Sequence, residues 1–559
     1  MLCDLYTAAG ESLTGTPWTV YPRPQMKRDS YINLNGAWVF SVNYEKQGQI
    51  RLPFCPESKL SGIGKHYEEG DLLCYNRTFT LPEGFNRGRV ILHIGAADQR
   101  ADVFVNGKPV GTHKGGYEAF SYDITDHLKA ENMLQICCFD DLEDRSYPYG
   151  KQTLNRGGMW YTPVSGIWQT VWLESVPEVH IEKLHIENRG YSVTVSVEPA
   201  LEGTVTVAGL GEYQLNNGSV TLTPEEPHLW SPEDPYLYDF TVEAGNDRIE
   251  SYFAIRSLEV KKGGPYQRLC LNGKPYFFHG LLDQGYWPDG IFTPAAPECY
   301  ADDIRMMKKL GFNTLRKHIK VEPEEFYYQC DRLGMIVWQD MINNSDYNFL
   351  RDTLLPTQGI QKLGDKKLHP NPYERQRFLQ CMEATVNQLK NHPSICYWTI
   401  FNEAWGQFDS DNVYEQFKKL DDTRFIDSTS GWFRQKKSDV DSRHVYFRKV
   451  NLKAGEKPLV LSEFGGKTYR AEGHVFNPDK SYGYGGCETL EALNDALAKL
   501  YTEEIIPNAK KGLCAAIYTQ VSDVEDEING LVTYDRKVEK VDPAKMLPIA
   551  EALQQAMEG

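Results

Sequence analysis

The hydrophobic pattern of this chain changes period once, near residue 262, and that change constrains the fold more than any other feature. Before it, apolar residues recur at every second position in short runs, the signature of half-buried strands. After it, short apolar runs alternate with segments whose apolar residues recur at helical spacing. A chain of 559 residues is too long for one compact core, so the break reads as a domain boundary. The expected fold is multidomain, with β-sandwiches first and a (β/α)₈ barrel after them.

Eight barrel strands are expected, at 276–280, 313–317, 335–340, 397–403, 424–432, 443–447, 458–463 and 514–520. Between them, residues 298–310 place Tyr300, Ile304, Met307 and Leu310 on one helical face, with Gly311 as the stop. Helix-like runs also cover 372–390, 490–501 and 548–557. Two of the strands end in an acid. The run from Tyr397 to Phe401 contains only strand formers and stops at Asn402-Glu403. The run from Leu459 to Ser462 stops at Glu463, and Gly465-Gly466 then lets the chain turn. Loops after barrel strands line the open face, so the two glutamates, 60 residues apart, are expected at one mouth.

Residues 1–178 read as a jelly-roll-like β-sandwich. Val90 to Ile94 and Ala101 to Val105 alternate, and Asn106-Gly107 is the positive-φ pair that a tight hairpin requires. Residues 179–261 form a smaller all-β unit, with hairpin-like runs at 193–197 and 203–207, expected to be an immunoglobulin-like sandwich. The barrel takes 262–559.

Lys and Arg total 60 against 77 Asp and Glu, a net charge of −17, which excludes nucleic acid and anionic membranes as expected partners. A neutral ligand fits better. The 11 Trp and 33 Tyr suit the stacking of sugar rings and serve sandwich cores equally well. No run of ~18 apolar residues offers a membrane span, and Met1-Leu2-Cys3-Asp4-Leu5 lacks the basic and apolar regions of a signal peptide. The 12 cysteines show no C-x-x-C zinc spacing, and neighbours such as Cys137-Cys138 point to opposite faces of a strand. Reduced thiols and a cytoplasmic setting are therefore expected.

Two acids at one barrel mouth suit glycoside hydrolysis, in which one carboxyl protonates the leaving oxygen and the other attacks the anomeric carbon or activates water. At this point the chain resembles glycoside hydrolase family 2 over nearly its whole length. Pro22-Arg23-Pro24-Gln25 with Asn33-Leu34-Asn35-Gly36-Ala37-Trp38 looks like the family's opening, and Ser165-Gly166-Ile167-Trp168 like its first-domain signature. Asn391-His392-Pro393-Ser394 running into Asn402-Glu403 looks like its acid/base signature.

The resemblance implies a retaining double displacement with Glu403 as acid/base and Glu463 as nucleophile. It implies that Asn402 binds the sugar 2-hydroxyl, that Tyr446 donates to the nucleophile and that Arg316 keeps it ionised. His279 and Asp283 occupy the place where the family reads sugar hydroxyls, and His318 is a pocket candidate beside Arg316. Trp287, Trp405 and Trp432 are candidate sugar platforms, and Asp340 a structural residue. No cofactor is required; sodium or magnesium is allowed. A glycoside is the implied ligand, and relatives pair through their sandwich domains, so a homo-oligomer is allowed too.

Two departures bear on the sugar. β-Glucuronidases place an Asn-x-Lys triplet before a Gly-x-x-Thr-x-Asp-Arg-Lys run to bind the sugar carboxylate; here that run is Gly530 to Lys537, and the triplet's place holds Glu527-Ile528-Asn529. An acid there repels a uronate. Large bacterial β-galactosidases carry an acidic metal ligand before a Met-Trp pair, where this chain has Gly158 before Met159-Trp160. β-Galactosidase leads, with a uronidase, β-mannosidase or arabinopyranosidase as alternatives within the family and a catalytically dead carbohydrate-binding protein outside it. The loop 343–367 is a candidate pocket rim. Gly62-Ile63-Gly64-Lys65 lacks the spacing and setting of a phosphate-binding loop.

Overall fold

The computed structural model describes residues 2–558, apart from 143, 358–359 and 361–362. The first domain packs a six-stranded sheet (strands 45–52, 36–42, 72–79, 132–139, 100–105, 108–114) on a four-stranded one (31–33, 171–176, 89–94, 120–123). Period-2 alternation decides the inner faces: Ala101, Val103 and Val105 are fully buried with Leu92, Leu134 and Leu173. Asn106 (φ 53) and Gly107 (φ 77) make the tight turn between Arg100–Val105 and Lys108–Lys114.

One expectation fails in this domain. Cys74 and Cys137 are joined by a disulfide, and Cys137 stands directly opposite Cys74 in the antiparallel ladder with Cα atoms 4.1 Å apart. Spacing along the chain shows only that Cys137 and Cys138 diverge; the cross-strand register, which makes the real pair, is invisible there. The remaining ten cysteines among the described residues are free.

The second unit is a sandwich of three strands (183–189, 192–198, 219–222) on four (203–207, 211–215, 238–244, 247–253). The runs 193–197 and 203–207 lie in opposite sheets, so they do not form one hairpin; each pairs with other neighbours around Val193, Val195, Val205 and Phe240.

The third domain is a parallel barrel: β1 (Phe278–Asp283), β2 (Thr314–Lys317), β3 (Ile336–Asp340), β4 (Ile395–Asn402), β5 (Phe425–Ser430), β6 (Asp441–Val445), β7 (Leu459–Gly465) and β8 (Leu513–Thr519). The strands pair in the order β5-β4-β3-β2-β1-β8-β7-β6. The β5–β6 seam has no paired ladder among the described residues and is bridged by side chains, with Ser430 Oγ 3.4 Å from Ser442 Oγ. Phe278, Leu282, Ile336, Trp338, Tyr397 and Val460 fill the interior, closed at one end by Trp230, Leu269 and Leu271. Helices cover the outside. The last runs Pro543–Gln555, five residues earlier than expected, because Asp542 caps it by accepting from Ala544 N; Pro548 lies inside it. Among the described residues, no helix is long and apolar enough to cross a membrane.

Candidate active site

The ends of β2, β4, β6 and β7 converge on one buried polar cluster, and its hub is Arg316 on β2. The fully buried guanidinium gives Nε to Asp340 at 3.0 Å, Nη1 to Glu463 Oε1 at 3.1 Å and to the Ser462 carbonyl at 3.0 Å, and Nη2 to Asn402 Oδ1 at 2.9 Å. Burial opposes its charge, but Asp340 and Glu463 outweigh that and keep it protonated. A side chain that satisfies three strands at once locks the mouth.

Both acids leave regular strand geometry. Glu403 (φ 52) and Ala404 (φ 64) take left-handed backbone, a strain of about 1–3 kcal/mol each that swings the acid over the mouth. In β7 the register against β8 shifts between Leu461 and Phe464, a bulge that lets Ser462 and Glu463 both join the interior network. Glu463 Oε2 accepts from the Tyr446 hydroxyl at 2.5 Å. Single atoms of Glu403, His444 and Glu463 all lie within 4.8 Å of one another.

The two carboxyls are tuned apart. Burial pushes Glu403 up, the nearby Glu463 pushes it further, and His444 and Lys151 offset part of the rise. Glu463 is more deeply buried still, but His444, Arg316, His318 and the Tyr446 hydroxyl outweigh the burial and hold it down at about 2. The two environments thus push in opposite directions, toward the protonated form at Glu403 and the ionised form at Glu463. The three groups are close enough to chelate a cation. Yet Arg316 and Tyr446 already occupy the Glu463 oxygens, and a guanidinium disfavours a metal beside it.

Of the other expected residues, Asn402 and Tyr446 are in the cluster. Arg316 holds Asn402 by Oδ1, which leaves the Nδ2 end for a ligand. His318 Nδ1 bonds Asp340 Oδ2 at 2.8 Å, and burial holds the ring down at about 4, hence neutral. Trp432 packs edge-on against His444 at 5.5 Å. Trp405 sits under the rim, packed on Trp160 at 5.1 Å and donating to the Ser345 carbonyl.

Three expected residues lie elsewhere, two of them for one reason. On β1 the even positions Phe278 and Leu282 point inward, so His279 and Asp283 point at the helices. His279 packs on Phe312 and Tyr501 and bonds the Gly311 carbonyl. Asp283 is paired with Lys317, which also holds Glu322. Trp287 is core, covered by Arg536 at 4.0 Å. Neither sugar hydroxyls nor a sugar face are served from these positions.

Residues that sequence reading passed over complete the pocket. His444 Nδ1 is 2.7 Å from Glu403 Oε1. Tyr484 stacks on Tyr446 at 4.1 Å, with exposed Phe447 against it. The first domain reaches the same loops: the Tyr161 hydroxyl donates to buried Glu527, Tyr149 donates to the Ser345 carbonyl, and Thr162 N to Glu525. Glu527 also accepts from Asn529 Nδ2 at 2.9 Å, and burial raises its pKa. Part of the expected rim loop, 358–359 and 361–362, lies outside the described residues. Its stretch near Asn343 does form rim, Asn343 donating to the Trp405 carbonyl.

Comparison with known proteins matches residues 259–541 to the TIM barrel domain of glycosyl hydrolases family 2, residues 65–177 to that family's sugar-binding domain, and residues 177–256 to a further domain of the family. A β-glucuronidase of Bacteroides fragilis is 23% identical over 81% of this chain and 68% of its own length. A β-galactosidase of Thermoanaerobacter pseudethanolicus is 22% identical over 69% of this chain, which spans only 52% of that protein. Among solved structures, a β-galacturonidase of Eisenbergiella tayi is similar with a TM-score of 0.68 at 20% identity, covering 96% of this chain and 99% of that one. A β-D-glucuronidase of Dictyoglomus thermophilum gives 0.72 at 18% identity, over 96% and 98%.

Proposed function

We propose, from the premise that the chain belongs to glycoside hydrolase family 2, that it is a retaining exo-β-glycosidase with Glu463 as nucleophile and Glu403 as acid/base. One observation carries the reading: oxygens of the two acids lie within 4.8 Å, on the side of the about 5–5.5 Å separation of retaining enzymes and short of the about 6.5–9.5 Å of inverting ones. Glu463, ionised beside Arg316 and steadied by Tyr446, attacks the anomeric carbon while Glu403 protonates the leaving oxygen. Formation of the ester removes the charge of Glu463. Glu403, its proton already given to the leaving group and no longer opposed by a neighbouring anion, stays ionised and takes a proton from the water that releases the sugar.

The sugar we favour is neutral, with a β-galactoside first. Glu527 supports this, since a buried carboxylate held by Tyr161 and Asn529 accepts hydrogen bonds from hydroxyls and repels a carboxylate. Two observations favour a uronide instead: three of the four relatives named above are uronidases, and the Lys151 cation acts on both Glu527 and Glu403.

A panel of nitrophenyl β-galactoside, β-glucuronide, β-galacturonide, β-mannoside and α-L-arabinopyranoside separates these readings. We expect the galactoside to lead, with the β-anomer appearing first by NMR. Preference for either uronide replaces the sugar assignment. An inverted first product overturns the mechanism. Inertness toward all five leaves a carbohydrate-binding role.

A further inference from the structure

Resting on the retaining reading above, we infer that His444 is a positioning residue for Glu403: its Nδ1–H binds one carboxyl oxygen and reserves the other for the proton that is transferred. The ring is fully buried, with Nδ1 2.7 Å from Glu403 Oε1 and 3.6 Å from Glu463 Oε2. Its Nε2 faces Ser430 Oγ at 3.0 Å and Arg316 Nη1 at 3.5 Å. A guanidinium only donates, so Nε2 is the accepting nitrogen and the ring hydrogen sits on Nδ1. The donor therefore points at Glu403, nearly 1 Å closer to it than to the nucleophile.

The ring has nowhere else to go. Gly431, in left-handed backbone (φ 93), packs so tightly that an added Cβ would stand 2.8 Å from Nδ1, and Trp432 closes another side. With Oε1 accepting from His444, the carboxyl proton of Glu403 resides on Oε2. In the first step that proton moves from Oε2 to the leaving oxygen, and in the second it is regained from water. His444 gains and loses none. Its bond strengthens when Glu403 is an anion, so it eases each departure of the proton. Glu403 also faces Glu463, Lys151 and the phenols of Tyr347, Tyr446, Tyr482 and Tyr484. Burial keeps those phenols protonated, so none of them titrates with the carboxyl near neutral pH.

Two variants test this by the basic limb of the kcat/KM profile on the best glycoside of the panel. In His444→Asn the amide nitrogen stands near the Nδ1 position, and the limb is expected at its parental pH. In His444→Gln the amide reaches toward the Nε2 position, leaving Glu403 without its donor, and the limb is expected to move up by about one pH unit. If the Gln variant does not fold, His444→Ala with and without added imidazole gives the same reading, imidazole restoring the lower limb. Coincident limbs in the folded Asn variant, the donor-lacking variant and the parent overturn the inference and leave His444 a packing residue. A parent without glycosidase activity, or a basic limb that survives in Glu403→Ala, overturns the underlying mechanism instead.

Discussion

The surroundings of Glu463 and of Glu403 make an instructive contrast, because both carboxyls are largely removed from solvent, with side chains 6% and 16% exposed, and their neighbours differ. Glu463 accepts from Arg316 and from the Tyr446 hydroxyl, with His444 3.6 Å away. Around Glu403 there is one donor, His444, together with an anion a few ångströms away. Burial raises both carboxyls; the company separates them, holding the first at about 2 and leaving the second raised. The general lesson is that a low-dielectric site has no intrinsic acid or base character until its hydrogen bonds are counted.

Four substitutions break or sharpen this contrast. Glu463→Gln removes the anion outright, and kcat/KM on an aryl glycoside should fall by about 10⁴-fold or more. Glu403→Ala removes the other side: hydrolysis of poor leaving groups should fall ~10²–10⁴-fold while ester formation with nitrophenyl leaving groups is largely spared, and azide should restore turnover. Parental rates with a poor leaving group would refute the acid assignment. Arg316→Gln weakens the difference without deleting either acid. We expect about 10²-fold loss in kcat, as for removal of one charge-stabilising donor, and an acid limb displaced to higher pH as Glu463 becomes harder to ionise. An unmoved acid limb would show that Arg316 only packs. Tyr446→Phe removes one bond to the nucleophile, worth about 1.5 kcal/mol or roughly tenfold in kcat, with a smaller shift in the same direction.

The barrel was legible because its strands are continuous apolar runs closed by glycine or acid; Ile395–Asn402 and Leu459–Gly465 stand within two residues of where periodicity puts them. The acids were legible as strand ends. What sequence concealed is parity and partnership. Nothing in Phe278-His279-Gly280 says which face turns inward, and the inward choice of Phe278 sends His279 and Asp283 to the helices. His444 sat in the same short run as Tyr446 and drew no notice, because its role depends on a partner 41 residues away. The Cys74–Cys137 disulfide and the Tyr161–Glu527 contact are invisible for the same reason: both are products of long-range register.

That last contact reaches beyond the pocket. Because residues 149–162 of the sandwich bond the loops of the barrel mouth, the barrel cut free at residue 262 would be an unfinished vessel, with Glu525 and Glu527 bared to solvent. Under the glycosidase proposal, selection between related sugars would accordingly be written in two distant stretches of the chain. Substitutions in one stretch can retune what is admitted while the cleavage apparatus in the other stays untouched.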